Sequence, residues 1–298
     1  MEQIFESIDE VNRMAKGMGL NIEAQLQRLP EILVSEIYFR DPETEDDLYE
    51  AEGWFSTLAK FPNGDIYPLA KVSEQYQMIQ HYDAIGQVLM SMQEFEDFGL
   101  DKVNIALSDM GGRCWLNMTS KEGIEVIKDD IIFPTITLEN SADTKKRFGL
   151  AWGALRQICT NGMKVADSRI AGGTARKIHK KGSLNLDEEI QIFESGFHKS
   201  VESLNSFKDY AKIELPKDIM EDVYDKTGFS EKQIEEIVST PLINDGRALK
   251  DTFKNGVVNG WDAYNSATQF ITHGKNNNPG TAIERGTKLS TQMDKLIK

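Results

Sequence analysis

Ile4, Ile8, Val11, Met14 and Met18 recur at spacings of four, three, three and four. That is the stripe of an amphipathic helix, closing near Gly17 and Gly19. Past Pro30 and an acidic run, residues 53–72 read as two strands around Asn63-Gly64. This dipeptide is favoured in a type I′ hairpin because both central positions need positive φ. From Ser73 the period changes, and Tyr76, Ile79, Tyr82, Ile85, Val88 and Leu89 fall at helical spacing. Strands return at 102–106 and 113–118 around a turn at 109–112, and again at 131–138, whose β-branched run suits a sheet. Pro134 predicts an edge position or a bulge there. Residues 144–160 read as a helix stopped by Asn161-Gly162.

Beyond that point the pattern is helical. Asn185 opens a capping box with Glu188, and Leu186, Ile190, Phe193, Phe197, Val201, Leu204 and Phe207 follow every three or four residues, up to a stop at Pro216. Ser230 with Gln233 forms a second capping box ahead of Ile234, Ile237 and Val238. Trp261, Tyr264, Thr268 and Ile271 mark a further helix, closed by His273-Gly274, and 281–298 is a short polar helix or a frayed tail. The fold class expected is α+β: an antiparallel sheet with helices on one face, followed by a mostly helical C-terminal region. The divisions fall at 1–30 (N-terminal helical segment), 31–184 (α+β core) and 185–298 (helical region). There is no fixed-period repeat.

Composition narrows the class without naming a chemistry. The 298 residues are 40% apolar and 28% charged, which excludes wholesale disorder. No window reaches the roughly eighteen apolar residues of a membrane span, and the acidic start MEQIFESIDE is unlike a signal peptide. The expectation is a cytoplasmic protein with no membrane partner. Two cysteines, Cys114 and Cys159, without a CxxC pair exclude a disulfide framework or a cysteine-rich zinc module.

Charge changes the picture most. The chain is −14 overall, yet residues 144–181 hold ten Lys/Arg against one Asp, a +9 block in an acidic chain. Its cations are Lys145, Lys146, Arg147, Arg156, Lys164, Arg169, Arg176, Lys177, Lys180 and Lys181. Such a cluster is the footprint of phosphate contacts, which gain free energy by releasing condensed counterions. The other reading is that these cations neutralise carboxylates of the same chain or of a neighbouring subunit. A counterpart lies at 41–52, where Asp41, Glu43, Glu45, Asp46 and Asp47 precede Glu50 and Glu52 without one cation. It reads as a solvated loop, a mimic of nucleic-acid phosphates toward a host protein, or a surface that docks on the basic block of a second copy.

Several segments together resemble a known family. VSEQYQMIQHYDAI (72–85), LENSAD (138–143), RQICTNGM (156–163) with Ile178-His179 downstream, and NGWDAYNSATQFITH (259–273) look like the phage and plasmid proteins grouped as domain of unknown function 932. The likeness spans about residues 50–275 and is most specific at Arg-x-x-Cys-x-Asn-Gly. It implies a mobile-element setting, often beside DNA handling or the countering of host defence, and no established activity. After Asn140 the sequence has Ser-Ala-Asp where the family more usually has Ser-His-Asp-Gly, so no role for that turn histidine carries over.

Candidate chemistry centres on the basic block. On a 144–160 helix, Lys145, Gly149, Trp152 and Arg156 fall within about 60° of one another at 100° per residue. A cation, an aromatic plane and a second cation on one stripe suit single-stranded nucleic acid, held by phosphate pairing and base stacking; the other reading is that Trp152 is a large core residue with Arg156 snorkelling beside it. The Gly172-Gly173 segment reads as a basic arm or a plain loop. Cys159 and His179 lack a third orienting group or an oxyanion motif, so no catalytic residue is assigned. The four histidines are scattered, no HExxH pair occurs, and neither metal nor cofactor is expected. The expected function is a phage or plasmid accessory protein, not an enzyme. It binds single-stranded nucleic acid as a homo-oligomer, in annealing or recombination. The alternatives are an anti-defence protein that captures a host protein through its acidic surface, and a virion component.

Overall fold

A computed structural model describes residues 5–41, 44, 47–93, 99–108, 110–156, 174–182, 185, 188, 190, 191, 204–241, 246–253, 255–273 and 279–297. The chain divides into two compact units, each drawn from three segments: Met1–Met118, Ile136–Ala151 and Thr174–Glu194 in one, Thr119–Thr135, Trp152–Gly173 and Ser195–Lys298 in the other.

In the first unit, α1 (Ile8–Gly17) starts where the Ser7 hydroxyl accepts from the Glu10 amide, and it buries Val11 and Ala15. After the short α2 (Glu23–Leu26), β1 (Glu31–Arg40), β2 (Leu48–Lys60) and β3 (Ile66–Ser73) form an antiparallel sheet in the order β1-β2-β3. β1 had no sequence signature, and β2 begins inside the acidic run. The β2–β3 connection is a longer loop than the two-residue turn expected: the Phe61 amide donates to Asp65 O, the Gly64 amide to Phe61 O, and the Asp65 amide to Asn63 Oδ1. Gly64 still supplies the positive φ, at 93°. α3 (His81–Met92) starts eight residues later than the periodicity suggested, and nearly all its side chains are buried. Gly86 admits the Phe5 ring so closely that a Cβ there would lie 2.5 Å from it.

β4 (Leu100–Leu107), β5 (Arg113–Ser120), β6 (Ile124–Ile127), β7 (Asp130–Ser141), β8 (Phe148–Arg156) and β9 (Thr174–Lys177) form a second sheet in the order β4-β5-β7-β8-β9, with β6 paired to β7. β7 lies between β5 and β8, so Pro134 does not mark an edge strand. Burial alternates along β5 and β7, the period of strands that bury one face.

Residues 148–156 are a strand and not the helix expected for 144–160. Phe148, Leu150, Trp152 and Ala154 alternate as buried positions, and Gly149 and Gly153 between them each disfavour a helix by about 1 kcal/mol relative to Ala. The residues that fitted a 3.6-residue period fit a period of two as well. The end of that expected helix, with Cys159, lies outside the described residues, as does most of the long helix expected from Asn185. Of the latter, Ile190 and Leu204 are buried, and α4 (Phe207–Tyr210) is a separate four-residue helix.

The second unit continues with β10 (Glu214–Pro216), α5 (Lys217–Thr227), α6 (Glu231–Ser239), α7 (Leu249–Thr252), β11 (Val257–Asn259), α8 (Gly260–His273) and α9 (Pro279–Ile297). Both halves of the Ser230–Gln233 capping box are made, and Gly228 closes α5 in the left-handed conformation. The core is aromatic: Phe207, Tyr210, Trp261 and Tyr264 pack ring to ring at centroid distances of 5.1–5.8 Å. Their polar atoms are satisfied, with Trp261 Nε1 donating to Asp130 Oδ2 at 2.6 Å, the Tyr210 hydroxyl donating to Asp294 Oδ1 at 2.7 Å and the Tyr264 hydroxyl 3.0 Å from Ser290 Oγ. α9 is a helix and not a frayed tail; its Leu289 and Met293 are fully buried in this core. Among the described residues no helix is long and apolar enough to cross a membrane. The architecture is α+β, with antiparallel sheets and a helical C-terminal part.

Candidate nucleic-acid interface

The register of the last two strands assembles the charged surface. β8 pairs antiparallel with β9, Phe148 opposite Lys177 and Gly149 opposite Arg176. The 144–147 turn that enters β8 and the 178–181 segment that leaves β9 are therefore at the same end of the pair. Lys145, Lys146 and Arg147 meet Lys177, Lys180 and Lys181 there, all exposed. Among the described residues, no carboxylate lies within ion-pair distance of Lys145, Lys146, Arg147, Lys180 or Lys181. Ile178, 48% exposed, sits between these cations.

A buried polar frame fixes both basic segments. The Asp143 carboxylate accepts from its own neighbourhood, through Oδ1, the Ser141 hydroxyl at 2.6 Å and the Lys145 amide at 3.2 Å, while the Lys146 amide donates to Ser141 Oγ at 3.3 Å. This is an Asx-type turn, and it holds Thr144 at a φ of 59°. Asp143 Oδ2 faces Arg113 Nε at 3.1 Å, an ion contact whose N–H is not aligned for a hydrogen bond. Arg113 also lies over the Trp115 ring, and Trp115 Nε1 donates to Glu139 Oε1. Gly112 allows the close approach: a Cβ there would sit 2.9 Å from Asp143 Cβ.

The second basic segment is laced to residues 75–77. Tyr76 bridges to Lys180, the Lys181 amide donates to Gln75 O, and the Gln77 amide donates to His179 O. The His179 ring stacks on Tyr76 with its Nδ1 3.2 Å from Gln77 O, and the Tyr76 hydroxyl donates to Ser141 O at 3.1 Å. Tyr76 thus ties the segment after β9 to the turn before β8. Burial holds the His179 imidazole below its ordinary pKa, and burial with Asp143 nearby pushes the Tyr76 phenol up. Both are neutral at physiological pH.

Beneath lies His81, fully buried. Its Nε2–H donates to Gly111 O at 2.9 Å and Nδ1 accepts from Asn140 Nδ2 at 3.0 Å, so the ring is a neutral tautomer with both nitrogens used. Burial lowers its pKa to about 4. Ser141, His81 and Asp143 share the neighbourhood but not a relay: the serine donates to the aspartate and the histidine turns to asparagine and backbone. Asp143, Asn140, Tyr76 and Arg113 were not singled out for chemistry in the sequence; the segments 72–85 and 138–143 that carry the family resemblance contain three of them.

Of the residues expected to bind nucleic acid, six are thus gathered on one surface. Trp152 is not among them: its indole is 2% exposed, inside the protein, where it cannot stack on a base. Arg156 and Arg176 have backbone places in β8 and β9, but their side chains, like all of Lys164, Arg169, Gly172 and Gly173, lie outside the described residues. Of the expected acidic surface, Asp41 and Asp47 stand at the tip of the β1–β2 hairpin, where the Asp41 amide donates a hydrogen bond to Asp47 O; Glu43, Glu45 and Asp46 lie outside the described residues.

The profile of the family described as "Domain of unknown function (DUF932)" matches residues 68–295. The chain belongs to this family. The match covers the polar frame, both basic segments of the surface and the helical C-terminal part as far as residue 295. Comparison with curated proteins and with solved structures finds no match.

Proposed function

We propose that this DUF932 protein binds single-stranded nucleic acid through its phosphates, on the surface formed by residues 144–147 and 177–181. The observation that supports the reading is the β8–β9 register, which brings two basic runs about thirty residues apart in sequence to one end of a strand pair. Cations spent on neutralising the fold would be met by carboxylates. Those of the 144–147 turn and of Lys180 and Lys181 are exposed and free of ion pairs with the described residues, although the chain as a whole is −14. With Trp152 buried, affinity comes from phosphate contacts, and a single strand, being flexible, can follow two adjacent loops. The setting is the cytoplasm of a cell carrying a phage or plasmid, in annealing or recombination.

Fluorescence anisotropy of a labelled oligonucleotide tests this. Six phosphate contacts give a slope of about −4 in log K against log salt, at roughly −0.7 per contact on a single strand. Replacing Lys146, Lys180 and Lys181 by Ala reduces the slope to about −2. Absence of binding at 50 mM salt, or a slope that the triple variant leaves unchanged, rejects the reading.

A further inference from the structure

The β1–β2 hairpin has two parts. Its base, from Glu31 to Glu36 and Phe55 to Lys60, is flanked by β3, whose pairing ends with Ser73 opposite Trp54. Its outer part, Tyr38 to Arg40 against Leu48 to Glu50, is a two-stranded ribbon with which no third strand pairs among the described residues. Between them Ile37 alone faces the stretch Ala51 to Trp54, a bulge in which Gly53 takes a φ of 74° with no heavy atom near its Cβ position. Bulges bend strands and re-aim what lies beyond them.

The ribbon carries large apolar groups in water. Tyr38, Phe39, Leu48 and Tyr49 are 52%, 55%, 62% and 48% exposed, and among the described residues the Phe39 and Tyr49 rings stack on each other alone, 6.0 Å apart. A two-stranded ribbon gains little stability alone in water, and contiguous exposed apolar groups rimmed by charge mark an interaction surface. The rim identifies the partner's sign. From Glu36 to Glu52 the sequence places eight carboxylates against the single cation Arg40, which excludes nucleic acid and anionic membrane as the occupant. The surface that fits is cationic with an apolar centre, and this chain displays one: the 144–147 and 177–181 cations around Ile178.

We propose that the tip of the β1–β2 hairpin of one copy docks on the basic β8–β9 end of a second copy, Phe39, Leu48 and Tyr49 against Ile178 and the carboxylates against the lysines. The contact joins two different surfaces, so it closes when two copies exchange hairpins and grows into rings or filaments otherwise. The proposal goes beyond nucleic-acid binding and does not depend on it. Because both ligands use the same cations, nucleic acid and the hairpin tip compete.

Sedimentation velocity of the full chain provides the test. The wild type self-associates, less so as salt rises. Asp47→Lys with Glu50→Lys, and separately Lys180→Glu with Lys181→Glu, each raise the self-dissociation constant at least about tenfold, since like charges now face each other. Mixing the two variant chains restores association, and so does combining all four substitutions in one chain. These side chains are exposed, and near-ultraviolet circular dichroism verifies that each variant is folded. A chain monomeric at all concentrations, self-association that neither reversal weakens, or loss in both without rescue on mixing overturns the proposal. The Asp47→Lys, Glu50→Lys chain separates the two readings: it binds oligonucleotide as well as or better than wild type if the basic surface binds nucleic acid, whatever its assembly state.

Discussion

Removing the Asp143 carboxylate tests whether the polar frame positions the basic turn. In Asp143→Ala three contacts go together: the Arg113 ion contact at 3.1 Å, the Ser141 hydroxyl bond at 2.6 Å and the Lys145 amide bond at 3.2 Å. Breaking a buried pair costs about 3–5 kcal/mol because a charge is left uncompensated. The Arg113 side chain is 29% exposed while that of Asp143 is 8% exposed, so water recovers part of the guanidinium's solvation, and the expected loss is about 3 kcal/mol at the low end of that range. Thr144 at positive φ then keeps only the Lys146 amide bond to Ser141 Oγ across the turn, and the 144–147 turn opens locally. Two units need not unfold in one step, so native-state hydrogen exchange is the appropriate assay. The amides of Lys145 and Lys146 should exchange about 100-fold faster in Asp143→Ala, at 1.4 kcal/mol per factor of ten. Asp143→Asn, which keeps one acceptor oxygen, should show a smaller change. Exchange within about twofold of wild type at both amides would refute the role given to the frame.

Two further outcomes follow from packing and burial. His81 is held at a pKa of about 4 by burial, below its ordinary value near 6.5. The unfolded chain therefore binds the proton more readily, so the stability His81 contributes is present above about pH 6.5 and is lost as pH falls toward 4, amounting to about 3 kcal/mol. Urea midpoints between pH 7 and 4.5 should fall with acid, and less so in His81→Gln; identical pH dependence would contradict this. In the other unit, a Cβ on Gly260 would stand 2.6 Å from Ile213 Cγ1 and 2.7 Å from Tyr210 O. Gly260→Ala should destabilise that unit by about 2 kcal/mol, read as a lower midpoint in tryptophan fluorescence, and an unchanged midpoint would show that β11 and α8 yield freely.

The parts of the fold legible in the sequence are those where one local signal stands alone. The stripe of α1, the Ser230 box of α6, the Trp261–Ile271 face of α8 and the alternation of β5 and β7 each have a single period or cap to read. β8 was not legible because Phe148, Leu155 and Cys159 satisfy helical spacing as well as Phe148, Leu150 and Trp152 satisfy a strand, and only the neighbouring strands decide between them. That one assignment also moved Trp152 from a proposed stacking surface into the interior. β1 lacked a clear period because its outer half is exposed on both faces, so its apolar residues alternate with nothing. The basic block was visible as composition, but not as a surface. It becomes one through the pairing of Phe148 with Lys177 and through an Asp143–Arg113 contact between residues thirty positions apart, neither of which leaves a local pattern.

The central claim is that nucleic acid lies on residues 144–147 and 177–181. Photocrosslinking of a 5-bromodeoxyuridine oligonucleotide to the wild-type chain, with the attached peptides mapped by mass spectrometry, tests it directly. Adducts concentrated in the peptides spanning 141–150 and 177–182, and lost at high salt, are the expected result. Adducts confined to the 204–297 region, or none under conditions where the oligonucleotide is retained, would contradict it.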